Sequence, residues 1–435
     1  MPENRKSKNE IVKELVERYR RLLEENLPEE PGTLEEIECI TEEIGKEVKK
    51  DLESECAGWH GTGYVGSTVL CSCGELARLK NYYNKHVVTL SSELVIQRAY
   101  YYCPACGQGF CPLDQKLELD GLSTSIGVRT KIARLAMWIP FEEVSVELGQ
   151  LLGVHVSKNT VERVAEAIGQ TIKRESRDRE EFVLSGYADI PKLGPKRLYI
   201  GIDGTGVPMR GGTSREAKTG VVYETKEHDG EIRISRPEYL ATLERAEVFG
   251  ERVYAAAFAR GVENAREVIV LGDGASWIWR TFRDHYPKAV QILDFFHASE
   301  HLNEVARAWY GEGTDKAMRW VKARETDLLS DRAQTVIRSI RSWRPVEEDA
   351  IKIRRTNLAY FTRNKNRMRY ATFKARGYHI GSGVVESACK TVVGQRLKQS
   401  GMHWSEVGAE AILHLRSLLL SQRTADLRPY ARAMA

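Results

Sequence analysis

The sequence predicts a mixed α/β protein built around a sheet, and three observations predict it. Two short apolar runs end in acids flanked by glycine: Leu198-Tyr199-Ile200-Gly201-Ile202 before Asp203, and Val268-Ile269-Val270-Leu271-Gly272 before Asp273. Around them, strand-like and helix-like periods alternate. A third acid, Glu386, follows Ile380-Gly381-Ser382-Gly383-Val384-Val385 and opens a helical pattern. An acid at the carboxyl end of a buried strand faces the crevice where open α/β sheets bind ligands. Three acids meeting there would hold hard divalent cations such as Mg²⁺, which take a few carboxylate oxygens and share the remaining shell with water and phosphate. That is the site a phosphodiester-cutting enzyme needs.

Composition sets the frame. The chain has 435 residues, 42% hydrophobic and 29% charged, which excludes wholesale disorder. A formal charge of +4 says little about nucleic acid, so the local distribution of charge must decide. No apolar run approaches the ~20 residues of a membrane span. The first residues, Met1-Pro2-Glu3-Asn4-Arg5-Lys6, lack the apolar stretch of a secretory signal. The expectation is a cytoplasmic, nucleoid-associated protein with no membrane partner. Its eight cysteines then serve as thiols or metal ligands rather than disulfides.

Residues 1–55 are dense in Glu, Lys and Arg with spaced Ile11, Val12, Leu15 and Val16, which predicts a helical arm. Residues 56–120 predict a zinc ribbon. Cys71-Ser72-Cys73-Gly74 and Cys103-Pro104-Ala105-Cys106-Gly107 are joined by β-rich sequence, and paired thiolates suit Zn²⁺. The first pair has one intervening residue where two is usual, so Cys56, Cys111, His60 and His86 stand as alternative ligands. Residues 121–185 predict three helices: Arg129 to Trp138, Phe141 to Leu152 and Ser157 to Gln170. The turn through Gly153, with Ser157 as an N-cap, matches a helix-turn-helix-like domain. Its recognition helix would present Lys158, Asn159 and Arg163 to DNA.

Residues 196–297 predict a sheet. After the Asp203 strand come Gly220 to Thr225 and Glu238 to Leu243 as strands, a helix at Phe249 to Ala259, the Asp273 strand, a helix from Trp277 to His285, and a strand at Ala289 to Asp294. Three early strands followed by strand–helix alternation fit a ribonuclease H-like core, completed by residues 379–420. Residues 298–378 lack strand alternation and predict an all-α insertion. Its end is basic, with Arg363, Lys365, Arg367 and Arg369 among aromatics, a pattern suited to phosphate contact and base stacking. After the last strand, Asp294-Phe295-Phe296-His297 brings His297 near the acids, either to touch a scissile phosphate or as a structural histidine.

These residues carry a resemblance. Gly201-Ile202-Asp203-Gly204-Thr205-Gly206, Leu271-Gly272-Asp273-Gly274-Ala275 and Asp294-Phe295-Phe296-His297-Ala298-Ser299-Glu300-His301 resemble bacterial insertion-sequence transposases of the ISKra type. So does Gly381 to Lys390, continuing through Gly394-Gln395-Arg396-Leu397-Lys398-Gln399-Ser400-Gly401-Met402. The Asp-x-x-His element is shared with Mutator-like transposases. The resemblance implies a DDE transposase with Asp203, Asp273 and Glu386 as the metal triad, His297 beside it, and a ribonuclease H-like core with a helical insertion. It implies two Mg²⁺ ions per active site, with Mn²⁺ as a substitute, and structural Zn²⁺ on Cys71, Cys73, Cys103 and Cys106.

Phosphoryl transfer of this kind needs in-line geometry and charge neutralisation more than a protein base. Lys390 is placed to pair with Glu386 or touch phosphate, and Arg396 and Lys398 to grip the DNA backbone. The expected partners are the inverted-repeat ends of the element, target DNA, and a second copy of the chain, since joining two ends calls for at least a dimer. The rival expectations are a metal-dependent nuclease or resolvase of the same fold, and a non-catalytic DNA-binding derivative.

Overall fold

A computed structural model describes residues 7–30, 32–119, 121–228, 231–381, 383–422 and 424–434. Ser382 of the glycine-rich run and the first six residues of the arm lie outside the described residues. The protein is mixed α/β, with two sheets and many helices. It divides into two compact units, Met1–Ile168 with Asp426–Ala435, and Gly169–Ala425.

The first unit opens with α1 (Lys8–Asn26) and α2 (Leu34–Gly58), which pack against each other. Each begins with a capping box, Ser7 with Glu10 and Thr33 with Glu36. Such a cap satisfies amides that the first helical turn leaves unpaired and stabilises a helix by about 1 kcal/mol. The Tyr19 hydroxyl donates to the Val48 carbonyl at 3.1 Å, tying the two helices. Next come β1 (Thr68–Leu70), β2 (Leu76–Val88), β3 (Glu93–Tyr102) and β4 (Gly109–Phe110), antiparallel and in that spatial order. The cysteine pairs occupy the β1–β2 and β3–β4 turns.

Short α3 (Pro112–Lys116) leads to α4 (Ile126–Ala136) and α5 (Phe141–Leu152). The Ser157 hydroxyl accepts from the Thr160 amide at 3.2 Å and so caps α6 (Lys158–Leu184). That helix runs well beyond the expected end at Gln170, because the buried stripe Val161, Val164, Ala165, Ile168 continues through Ile172. The unit division falls inside it. The fully buried Arg129 donates to the carbonyls of Thr124 (2.9 Å) and Ala431 (3.0 Å), which binds the C-terminal helix Arg428–Arg432 to α4.

The second unit holds a five-stranded sheet. Its strands are β5 (Arg197–Pro208), β6 (Ser214–His228), β7 (Glu231–Thr242), β8 (Glu267–Gly272) and β9 (Val290–Leu293), in the order β7-β6-β5-β8-β9. The β5, β6 and β7 strands are antiparallel, whereas β8 and β9 run parallel to β5. Helix α7 (Ala246–Ala259) packs on β6, and α8 (Ser276–His285) connects β8 to β9. The runs feeding β5 and β8 are apolar at almost every position because both faces are covered.

Residues 295–375 are helical: α9 (Phe295–Tyr310), α10 (Asp315–Leu329), α11 (Ala333–Ser342), α12 (Glu348–Asn364) and α13 (Tyr370–Ala375). Trp309 stacks on Trp343 at 5.4 Å and meets Trp320 edge-on at 5.9 Å. One apolar cluster runs from the sheet through these helices to Val385. The chain then forms α14 (Gly383–Ala388), a π-helical run Cys389–Gly394, α15 (Gln395–Leu397) and α16 (Glu406–Ser421). The wide π turn displaces carbonyls from ordinary helical bonding. The fully buried Arg416 meets two of them, donating to Val392 at 2.7 Å and to Thr391.

Helix α16 lies along β7 and closes a buried ionic network. Glu410 accepts from the Thr242 hydroxyl, the Leu243 amide (2.7 Å) and Lys173 (3.3 Å). Arg252 donates to Glu180 (2.7 Å) and Glu244 (3.0 Å). Burial would raise the Glu410 carboxyl, yet hydrogen bonds from His414, Thr242 and Leu243 hold it down to about 2. Burial lowers His414 and its contact with Glu410 opposes this, while its Nε2 sits between Glu410 (3.3 Å) and Arg252 Nη1 (3.2 Å). Lys173 adds a cation to this network, shared with Glu244 at 2.8 Å.

Candidate functional site

Strand polarity assembles the site. Because β5, β8 and β9 are parallel neighbours, their carboxyl ends open on one edge of the sheet. Asp273 is the first residue after β8, and its Oδ1 accepts from the Ala275 amide at 2.8 Å. Asp294 is the first residue after β9; fully buried, it caps α9 by accepting from the His297 amide at 2.8 Å. Asp203 departs from the expectation of a strand end. The β5–β8 pairing stops at Gly201, but β5 stays extended to Pro208 because β6 pairs with it throughout, Thr219 opposite Asp203. The glycines after Asp203 thus belong to a hairpin arm. Ligand atoms of Asp203, Asp273 and His297 all lie within 4.8 Å of one another.

Two close approaches fix this geometry. A Cβ at Gly201 would lie 2.0 Å from Val385 Cγ2, so glycine is what lets α14 rest on β5. From the following π turn, the buried Cys389 thiol donates to Asp203 Oδ2 at 3.3 Å. Gly274 has φ +108, and a Cβ there would lie 2.5 Å from the Tyr360 ring. The Tyr360 hydroxyl donates to the Asp273 carbonyl at 2.8 Å. His301 stacks on Tyr360 at 3.7 Å and contacts Asn357 at 2.7 Å.

Sequence reasoning placed Tyr360 among stacking aromatics and Cys389 within the motif from Gly381 to Lys390, but gave neither a role beside the acids. Neither carries a signal of its own: one is an aromatic in a distant helix, the other a single thiol.

The electrostatics are those of acids crowded away from water. Burial raises the Asp203 carboxyl and nearby Asp273 adds to it, while bonds from Cys389 and Gly204 oppose. The Asp294 carboxylate is the main cause that lifts His297 to about 9; burial opposes it, and Asp273 and Asp203 add. The imidazole Nδ1 lies 3.6 Å from Asp294, which is an ion-pair contact rather than a hydrogen bond. Burial also pushes up the Cys389 thiol, with Asp203 adding, so Cys389 serves as a neutral donor.

Glu386 is not in this group. Its half-exposed carboxylate pairs with Lys390 at 2.7 Å, one turn along the same helix. The expected DNA contacts fall into two sets. Lys158, Asn159 and Arg163 are exposed on α6, with Lys158 3.6 Å from Glu142. Arg363, Lys365, Arg369, Lys390 and Lys398 are exposed too, and Lys398 donates to Thr205.

Two arginines are corrected. Arg396 is fully buried, stacked 4.9 Å from Trp404 with a contact to Met402, so it cannot reach a phosphate on the surface. Arg367 is half-buried over Trp279 at 4.1 Å and bonded to Gln291 (2.7 Å) and Asn364 (2.8 Å), which spends most of its guanidinium on structure. In both cases packing against an aromatic ring outweighs solvation of the head group.

The cysteine site could hold a metal such as zinc. Cys71 lies 3.7 Å from Cys106, and Cys73 lies 3.6 Å from Cys103, sulfur to sulfur. A tetrahedron with Zn–S bonds of ~2.3 Å has edges of ~3.8 Å, so the spacing fits. All four sulfurs fall within 4.8 Å of each other. Among the described residues, the alternatives Cys56, Cys111, His60 and His86 are not in this cluster. The amide of Cys73 holds the Cys71 thiol down to about 7. The amide of Glu75 also favours the Cys73 thiolate, but burial and the neighbouring sulfurs push that thiol up to about 12. Four such groups ionise together only around a cation.

Among the described residues, no helix is long and apolar enough to cross a membrane. A search of curated proteins finds no match to the chain. The model of UPF0236, an uncharacterised protein family, matches residues 76–428, and the chain belongs to that family.

Proposed function

We infer that this protein is a DNA transposase of the DDE kind, similar to the ISKra type, acting on a ribonuclease H-like core. The observation that carries the reading is the convergence of Asp203, Asp273 and His297 at the carboxyl edge of the β7-β6-β5-β8-β9 sheet. Three antiparallel strands followed by two parallel ones, with an acid on β5 and another directly after β8, support that core. Two carboxylates on adjacent parallel strands suit a hard divalent cation, which would offset the burial that raises the Asp203 carboxyl.

When bound there, Mg²⁺ supplies the charge neutralisation and polarisation that phosphodiester cleavage and joining require. Asp203 and Asp273 would hold it. Cys389 and the Gly204 amide orient the Asp203 carboxylate, and Tyr360 orients the Asp273 backbone. His297, kept as a cation by Asp294, stands ready to contact an oxygen of the scissile phosphate. Glu386, three residues before the Cys389 that meets Asp203, would have to leave Lys390 to join the two aspartates. The exposed bases on α6 recognise the ends, and the enzyme works as at least a dimer holding two ends.

The test is a cleavage and strand-transfer assay on DNA flanking the coding sequence, with Mg²⁺ or Mn²⁺. Wild-type protein should cut and join ends; Asp203→Asn and Asp273→Asn should bind DNA and do neither. Cutting without joining would replace the reading by a nuclease. Unimpaired cutting by either variant would remove that residue from the site.

A further inference from the structure

The basic end of the helical insertion does more than present a charged surface. At the N-terminal end of the edge strand β9, residues 289–291 and the segment 363–376 enclose a cavity of about 400 Å³. Arg363, Arg367, Arg369 and Arg376 line it together with Gln291 and Asn366, and no acidic side chain does. Arg367 forms its fixed wall. Since Gln291 Oε1 accepts from Arg367, the Gln291 amide NH₂ is left as a donor. Burial, and then the nearby Arg283, lower Arg367. The cavity therefore joins the forked donors of the exposed Arg363 and Arg369 with amide donors and no lining acid, a set that matches phosphate oxygens. Phe373 and Ala289 add an apolar wall for a sugar.

We propose that this cavity seats a single phosphodiester group of the DNA backbone, away from the group at the acids. The proposal rests on the transposase reading. From Val290 to Asp294 the strand advances four residues, ~13 Å at ~3.3 Å per residue. A phosphate seated there is a different linkage from the one at the acids, because the pocket opens at the N-terminal end of β9 and the acids lie at its carboxyl end.

The experiment separates one shared phosphate from a solvated stripe in which each arginine finds its own. Affinity of the full chain for random-sequence duplex DNA is measured against salt, for wild type and for the Arg363→Gln/Arg369→Gln double variant. Both side chains are exposed, and equal melting temperatures at low salt verify folding. One phosphate releases the counterions of one contact, so the double variant should lower the log–log salt slope by about 0.9. A stripe would lower it by about 1.8, and that result, or no change, overturns the pocket.

Neutral methylphosphonate linkages scanned along both strands should show one position, away from the cut, whose penalty disappears in the double variant. Inorganic phosphate should raise the wild-type melting temperature and leave that of the double variant unmoved. If phosphate does so while wild-type protein binds no DNA, the occupant is another phosphate compound, and both the DNA assignment and the transposase reading fall. If ends are cut and joined but the slope and the linkage scan ignore the double variant, the pocket alone falls.

Discussion

Gly274→Ala tests whether the helical segment holds Asp273 in place. The position has φ +108, and an added Cβ would lie 2.5 Å from the Tyr360 ring. Positive-φ strain on a residue with a side chain costs about 1–3 kcal/mol. The ring must also move, which breaks the bond from its hydroxyl to the Asp273 carbonyl at 2.8 Å. A hydrogen bond to a part-buried carbonyl is worth about 1 kcal/mol net. The expected loss is therefore about 2–4 kcal/mol, or a melting point lower by several degrees. Tyr360→Phe should lose only the hydrogen-bond share, about 1 kcal/mol.

The decisive measurement is a double-mutant cycle by urea denaturation. In the Tyr360→Ala background the overlap and the hydrogen bond are already gone, so Gly274→Ala should cost only its backbone strain. The two changes should then couple by about 1 kcal/mol, the hydrogen-bond share. Additivity within about 0.5 kcal/mol would mean that Tyr360 and the Asp273 turn do not support each other. Calorimetry with Mn²⁺ on the same variants would show whether the displaced turn also weakens ion binding.

Other expectations follow from the same geometry. Elemental analysis should find one zinc per chain, and Cys71→Ser with Cys73→Ser should release it while Cys56→Ser and Cys111→Ser should not; zinc retained by the double variant would reject the four-sulfur site. Glu410 is held below its ordinary value of 4.5, so its contribution is complete above that pH and is lost as the pH falls toward about 2. Glu410→Gln should flatten stability across that acid window and cost about 1–3 kcal/mol at neutral pH by weakening buried hydrogen bonds, while Lys173 keeps Glu244, as followed by thermal melts; an unchanged acid limb would contradict it. Lys390→Gln should free Glu386 and keep or tighten Mn²⁺ affinity, whereas Glu386→Gln should weaken it; a large affinity loss in Lys390→Gln would show that the lysine itself supports the site.

Much of the sheet was legible because strands covered on both faces need unbroken apolar sequence. The runs at 198–202 and 268–272 and most of 289–294 lie in β5, β8 and β9 for that reason. The acids after β8 and β9 were legible with them. Asp203 was read as a strand end because Gly204-Thr205-Gly206 looks like a turn. Only pairing with β6, formed some fifteen residues later, keeps that segment extended. The roles of Arg396 and Arg367 were illegible for a different reason. A basic side chain beside a motif looks the same in sequence whether it faces water or a tryptophan. Tyr360 and Cys389 reach the acids only through tertiary packing, across separations that leave no local period to read.

The π-helical run has a consequence for how relatives of this chain can vary in length. A π turn holds one residue more than an α turn, so it behaves as a single-residue insertion absorbed inside a helix. Its extra residue leaves carbonyls at Thr391 and Val392 that Arg416 takes up from α16. A relative lacking one residue between Glu386 and Gly394 would return those carbonyls to ordinary helical bonds. Its arginine at the position of 416 would then be a buried cation with nothing to hold, and the thiol corresponding to Cys389 would rotate off its aspartate. The insertion, the arginine and the cysteine should therefore appear and vanish as a set, a pattern that an alignment of family members can count directly.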